Sequence, residues 1–280
     1  MKSPLVCVVV LPSHVQTGWW RMLTDDDRRR VKELFGVDDD QVRRDHLISH
    51  ALAALSQEMP DRIRFFGGTA LSRSFLTSGR LSEDIDLIAI GPRPEIAELI
   101  TNTLTRRLAR EFGRPTFTRS LADVRPEQPV TASFPSGSTV QIQLLPEDHY
   151  PSWPFESVEL EQRYSDTGPA VFQVPTLPAF VAWKTTTYID RRASRDLWDL
   201  AALADVGAYT SEATDLFGRL GIFTSRPTES SLPPAPSEEI WQRDLAHQTR
   251  LNISAADARS TVLQAWREIG DDGARSSSNR

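Results

Sequence analysis

Apolar and polar positions change period several times along this chain, and the changes mark out its elements. Residues 25–35 read as a helix, with Gly36 as its stop. Asp38 to Asp40 offer N-caps for a second helix to about Ser56, on which Val42, Leu47, Ala51 and Leu55 recur at helical spacing. Pro60 ends it. Residues 62–66 form a short strand feeding Gly67-Gly68, residues 69–76 a helix, and residues 77–80 a turn in which Gly79 is the permissive residue. Residues 82–90 are a strand whose end, Leu87 to Ile90, is continuously apolar, as a central strand would be. Gly91-Pro92 breaks it. Pro94 then opens a long helix to about Phe112, with Ile96, Ile100, Leu104 and Leu108 in register and Arg106, Arg107 and Arg110 on the other side.

Strand periodicity returns at 116–119, 130–134 and 139–145, with Pro135-Ser136-Gly137 as a hairpin turn. In the last of these, Gln141 and Gln143 share one face and Val140, Ile142 and Leu144 the other. A proline-rich loop and a strand at 170–174 follow. From Leu177 the chain is helical, with Ser194 as an N-cap within the run, Gly207 as a stop and a further helix at 210–220. Residues 224–238 read as an exposed linker or long loop. Ile240, Trp241 and Leu245 mark one more helix, and Ala258, Val262, Ala265, Trp266 and Ile269 another, before a polar tail expected to be disordered. The pattern is α+β with a helical C-terminal lobe: a core over 1–175, a lobe over 176–270 and a tail over 271–280.

Composition narrows the setting. The chain has 280 residues, 39% hydrophobic, enough for one large domain or two modest ones. Its one cysteine excludes an internal disulfide and points to a reducing compartment, the cytoplasm. The apolar run at 5–11 lacks a cleavage site and reads as a buried strand rather than a signal peptide. No run approaches the ~20 apolar residues of a membrane span. A net charge of −6 makes the whole molecule no magnet for nucleic acid. Arginines nevertheless cluster at 28–30, 43–44, 106–107 with 110 and 114, and 191–192 with 195. Each cluster is either a solvated helix face paired with carboxylates or a local basic face for phosphate. His46 and His50 stand four apart, at metal-ligand spacing, but the glutamate of a zinc-protease helix is missing, so they read as surface or interface histidines.

The chemistry concentrates in Phe66-Gly67-Gly68-Thr69 and Ser82-Glu83-Asp84-Ile85-Asp86-Leu87. On a strand, Asp84 and Asp86 point to one face while Ile85 and Leu87 point into a core. Same-face carboxylates suit Mg²⁺. A Gly-Gly turn into a helix puts bare N–H groups nearby, where a phosphate can sit. Lys184 is a candidate phosphate cation, and in an unbroken helix it would share a face with Arg191 and Arg195; the alternative is a solvated helix lysine. Carboxylates, phosphate donors and a cation together suggest nucleotidyl transfer.

Phe66 to Leu71, Arg80 to Leu87, Lys184 and the run RRASRDLWDL at 191–200 resemble the AbiEii/AbiGii-type nucleotidyltransferases, toxins of bacterial toxin–antitoxin and phage-defence systems. Arg44-Asp45 with Leu47 and Leu55 is also similar to the opening of the family's N-terminal helix. The resemblance spans roughly residues 40–205. It implies a core related to DNA polymerase β, Mg²⁺-dependent transfer of a nucleotide from an NTP, in some relatives to the 3′ acceptor end of tRNA with a block of translation, and a cognate antitoxin from a neighbouring gene. By position, Gly67, Gly68 and Thr69 would hold the triphosphate, with Arg80 and Arg191 beside it. Asp84 and Asp86 would hold metal, Lys184 would contact phosphates, and Asp196 would complete the catalytic set, with Asp199 a weaker candidate.

One departure concerns the third carboxylate that this fold commonly carries on a later strand; Gln143 stands there, and an amide is a poor Mg²⁺ ligand and no general base. Asp196 would replace it, or metal and position alone would activate the hydroxyl, or the enzyme would be inactive. Ser78 is a candidate control point, since a phosphate there would bring about −1.5 to −2 charges near the triphosphate. Three functions compete: a toxin acting on tRNA, a transferase acting on a small-molecule or protein hydroxyl, and an inactive binding module.

Overall fold

The computed structural model describes residues 23–149 and 152–277. The apolar run at 5–11 lies outside the described residues. Strands β1 (Ile63–Phe66), β2 (Asp84–Ala89), β3 (Thr116–Phe117), β4 (Val130–Ser133), β5 (Thr139–Pro146), β6 (Phe155–Glu159) and β7 (Val171–Pro175) form one mixed sheet in the order β3-β4-β5-β2-β1-β7-β6. β2 lies at its centre, antiparallel to β1 and parallel to β5. Ile85, Leu87, Ile88 and Ala89 are all buried, which is why the end of this strand carries no alternation.

Among the described residues, two helices precede the sheet. α1 (Asp25–Phe35) is capped by the Thr24 hydroxyl, which accepts from the Asp27 N–H, and closes on Gly36 in the left-handed region. α2 (Asp39–Glu58) is buried almost all round from Gln41 to Leu55. It therefore has no open face for His46 and His50, and both are buried rather than on the surface as the sequence suggests. α3 (Gly67–Ser74) joins β1 to β2. The helix expected to reach Phe112 is interrupted at Leu108, giving α4 (Arg93–Arg107) and α5 (Ala109–Phe112). Gly79 does not have a positive φ; a Cβ there would lie 2.8 Å from the Trp198 ring, so close packing is what requires glycine. β6 was not expected from sequence: its exposed glutamates and edge position leave no apolar alternation to read.

The helical lobe comprises α6 (Leu177–Arg191), α7 (Ser194–Asp205), α8 (Ser211–Leu220), α9 (Glu238–Leu245) and α10 (Ala255–Ser277). One apolar cluster running from Leu47 to Trp266 joins it to the sheet. Ser194 is not the cap of α7. Ala193 takes that place, and the Ser194 hydroxyl donates to Asp244 at 2.8 Å. Loop 224–238 is pinned rather than free, since Arg259 donates to the carbonyls of Glu229, Leu232 and Pro233. α10 continues past Asp271 to Ser277, where a disordered tail was expected.

α2, α3 and the 160–170 segment meet at one buried carboxylate. Asp45 accepts from Arg73 at 2.7 Å, from Arg163 at 3.4 Å and from the Tyr164 hydroxyl at 3.0 Å. Burial lowers the Arg163 guanidinium to about 10, offset by Asp45, so it stays charged at neutral pH. Asp45→Ala strands two buried cations and is expected to cost about 3–5 kcal/mol. Urea denaturation measures this; a loss below ~1 kcal/mol would show that backbone carbonyls alone satisfy the two arginines.

Candidate active site

A cleft of about 280 Å³ opens at one end of β2 and β5. Register places Asp84 beside Gln141 and Asp86 beside Gln143 on the neighbouring strand, and all four side chains line the cleft. Gln143 thus stands in the place of a third carboxylate, and its amide donates to the Pro126 carbonyl at 3.2 Å.

The Gly67-Gly68 turn is fitted tightly to these aspartates. Gly67 has φ +82, and a Cβ there would lie 2.0 Å from Asp86 Oδ2. A side chain at this point would clash with the carboxylate and strain the backbone at once. The two glycines open α3 and line the cleft, and as first residues of the helix their N–H groups have no intrahelical acceptor. Thr69 does not face it. Its hydroxyl donates to the Asp84 carbonyl and the residue is 1% exposed, so it fastens α3 to β2 instead of offering a hydroxyl to phosphate.

The opposite wall comes from the helical lobe. α6 ends at Arg192, which takes a left-handed φ of 54, and α7 turns back. Lys184, Arg191 and Arg195 therefore do not lie along one unbroken helix, yet all three reach the cleft. Lys184 is buried, bonded to Asp196 at 3.0 Å and to Asp199 at 2.7 Å, so it is not a solvated helix lysine. Arg191 donates twice to Asp196, at 2.6 and 2.8 Å. Asp199 in turn takes two bonds from Arg80, at 2.8 and 2.9 Å. Arg80 lines the cleft but also donates to Gln248 at 2.8 Å and to the Leu81 carbonyl, so most of its donors serve the fold rather than a nucleotide. Asp196 does not line the cleft; it lies behind the wall, fully buried and bonded to Lys184 and Arg191.

The charges explain the titration. Burial works to raise Asp196, but Lys184 and Arg191 hold it well below the usual carboxylate range. Burial likewise opposes ionisation of Asp199, and Arg80 and Lys184 overrule it. On the other wall the balance reverses. Burial, then the Asp84 charge, raises Asp86 to about 7 against the pull of Lys184. Burial also raises Asp84, with Arg195 at 4.0 Å opposing. Two same-face carboxylates resisting joint ionisation, with oxygen donors only, fit a hard divalent cation, which would relieve both effects.

Sequence reasoning did not single out Trp183 or Gln141 as lining residues. The face shared by Gln141 with Gln143 was the available signal for the latter. Ser78 is exposed but does not line the cleft. Arg28, Arg29, Arg30 and Arg43 each pair with an aspartate three residues earlier, and Arg106 and Arg107 with Glu58, so these clusters are solvated faces.

This α+β architecture is that of a nucleotidyltransferase. It matches MenT4, a nucleotidyltransferase toxin from Mycobacterium tuberculosis H37Rv, with a TM-score of 0.66 and 22% identity over 87% of this chain and 89% of the other. Residues 50–269 match the family described as nucleotidyl transferase AbiEii toxin, type IV toxin–antitoxin system, and the chain belongs to that family. Weaker likenesses are an antigenic nucleotidyltransferase-like protein from Paracoccidioides brasiliensis (TM-score 0.36, 13% identity, 61% of this chain and 84% of that one) and the CdnE cyclic dinucleotide synthase from Elizabethkingia meningoseptica (TM-score 0.29, 9% identity, 87% and 98%). No curated protein matches the sequence. Among the described residues, no helix is long and apolar enough to cross a membrane.

Two outcomes follow from the cleft. With metal removed by chelator, the folded chain binds a proton on Asp86 that the unfolded chain releases near pH ~4. Its contribution to stability is thus fully present below that pH and lost as pH rises through about 7. Asp86→Asn should flatten this part of the profile; an unchanged slope assigns it to other groups. Gly67→Ala should displace the Asp86 carboxylate and abolish activity while the protein still melts cooperatively. Wild-type turnover in that variant would show that the turn can open without loss.

Proposed function

We propose that this chain is a toxin that transfers nucleotides from an NTP to tRNA, at the 3′ acceptor end, with Mg²⁺, and so blocks translation in the cytoplasm. The observation that carries this reading is the facing of Asp84 and Asp86 by Lys184, Arg191 and Arg195 across one cleft, with the Gly67-Gly68 amides at its edge. The amides would take phosphate oxygens at the start of α3. Lys184 has three N–H donors and two carboxylate partners, which leaves one donor for the triphosphate. Arg191, fixed through Asp196, would hold a second phosphate oxygen. Mg²⁺, held by Asp84 and Asp86, would neutralise the triphosphate and steady the leaving group when bound. The cleft is open enough at Arg195 for an acceptor to approach beside Asp84; Arg195 is half exposed.

Type IV toxin–antitoxin families pair each toxin with an antitoxin, and the product of a neighbouring gene would be that partner here. Gln143 favours a second reading, a fold that binds nucleotide without turning it over. A third, transfer to a small-molecule or protein hydroxyl, uses the same cleft.

Purified chain incubated with total tRNA, Mg²⁺ and each labelled NTP separates these readings. Label on tRNA is expected with at least one NTP, falling by roughly 10²–10³-fold in Lys184→Ala and further in Asp84→Ala. Nucleotide binding without label on any RNA, protein or small acceptor would move the assignment to the binding module. Mass spectrometry of Ser78 after co-expression with the neighbouring gene tests control by phosphorylation: an unmodified serine in a neutralised toxin removes that role.

A further inference from the structure

α2 carries His46 and His50 one turn apart, and the 160–170 segment brings Asp166 against them. Their ligand atoms form a small triangle. His46 Nε2 lies 3.0 Å from Asp166 Oδ2, His50 Nε2 lies 3.2 Å from the same oxygen, and the two ring nitrogens are 3.1 Å apart. All three side chains are at most a tenth exposed. None of them lines the catalytic cleft.

The proton count makes this triangle unusual. His50 Nδ1 lies 2.9 Å from Glu111 Oε2, so that nitrogen carries the proton and donates it to the carboxylate. In the neutral ring, Nε2 then presents a lone pair. That lone pair faces a second ring nitrogen and a carboxylate oxygen, both within hydrogen-bond distance. A lone proton on His46 Nε2 can serve one of these neighbours well, not both. A cation at the centre would serve all three. Ligand atoms around a tetrahedral zinc stand roughly 3.3 Å apart, a few tenths of an ångström beyond the edges seen here. The Glu111–His50 contact is also the outer-shell bond that orients metal-bound histidines.

We propose that His46, His50 and Asp166 form a second metal site, for a divalent transition ion of the zinc class, separate from the Asp84–Asp86 pair. Two imidazoles and one carboxylate suit such an ion and disfavour Mg²⁺, which takes oxygen donors. Phe112 and Tyr164 flank the rings, with centroids 5.3 to 5.5 Å and 4.8 Å away, and shield the site on those sides. A surface depression bounded by His50, Glu111, Gly168 and Arg107 supplies an entry path. The ion would clasp the 160–170 segment to α2, beside the place where Arg163 and Tyr164 of the same segment hold Asp45. Its role is structural, and it is independent of the transfer reaction.

The test uses the full chain without a histidine tag, purified without chelator. Elemental analysis should find about one zinc per chain in the wild type and in Asp84→Ala, and less than a tenth of that in His50→Gln and Asp166→Asn. Chelator-stripped wild type titrated with Co²⁺ should develop visible absorption bands of a tetrahedral or five-coordinate centre at one equivalent. Added Zn²⁺ should raise its melting temperature by several degrees. Stripped wild type that shows neither bands with Co²⁺ nor a shift with Zn²⁺ would leave the triangle as a protonated histidine–carboxylate network and overturn the proposal. Bands that persist unchanged in a cooperatively melting His50→Gln would do the same. Iron in place of zinc in the elemental analysis would keep the site and correct the ion.

Discussion

A row of alternating charges, buried except at Arg191, fixes one wall of the cleft. Arg191, Asp196, Lys184, Asp199 and Arg80 follow one another in contact, from the mouth of the cleft to the turn before β2. Every inner member is bonded on both sides. Such a row contributes little net stability compared with well-packed apolar residues, but losing any one member leaves a buried charge exposed to its neighbours. It therefore acts on position more than on stability. Three cations and two carboxylates leave one positive charge, and it faces Asp84 and Asp86 across the cleft. The same row presses the helical lobe onto the sheet.

The opposite wall is fixed by a steric constraint instead. Gly67 leaves just enough room for Asp86, and the Thr69 hydroxyl ties α3 to the carbonyl of Asp84. The Gly67-Gly68 amides and the Asp84 and Asp86 carboxylates are thus set against each other within one strand–helix–strand unit. The rigid part of the site is local in sequence, and the charged part is brought in from about a hundred residues away. That division lets a short motif define one half of the chemistry while the other half depends on how two lobes pack.

Much of this was legible because the residues concerned leave local signatures. Two aspartates with apolar residues between and after them, a glycine pair after an apolar strand, and a helix stop such as Gly36 each have one dominant physical reading. Other features had no such signature. Ser194 marked the start of a second helical part, but Arg192 adopts a left-handed turn that sequence reading assigns to glycine, so the form of the break between α6 and α7 was not legible. Thr69 was placed at the triphosphate and Asp196 in the catalytic set by their positions in motifs that resemble the family's; only three-dimensional packing shows one fastened to a carbonyl and the other behind the wall. His46 and His50 looked like surface residues because two histidines on a helix carry no sign of what covers them. Asp166, over a hundred residues on, supplies that cover.

The order in which the parts leave the ribosome has a consequence of its own. Asp84 and Asp86 are made early, but the cations facing them come at 184, 191 and 195, and Arg80 is fully braced only by Gln248, 168 residues further along. The Leu81 N–H is bonded to the Gln248 carbonyl as well. Such distant closure cannot happen until most of the polypeptide has emerged. In an enzyme of a toxin family, the growing chain therefore carries the carboxylate half of the cleft before the cations that face it and before the contacts that brace Arg80.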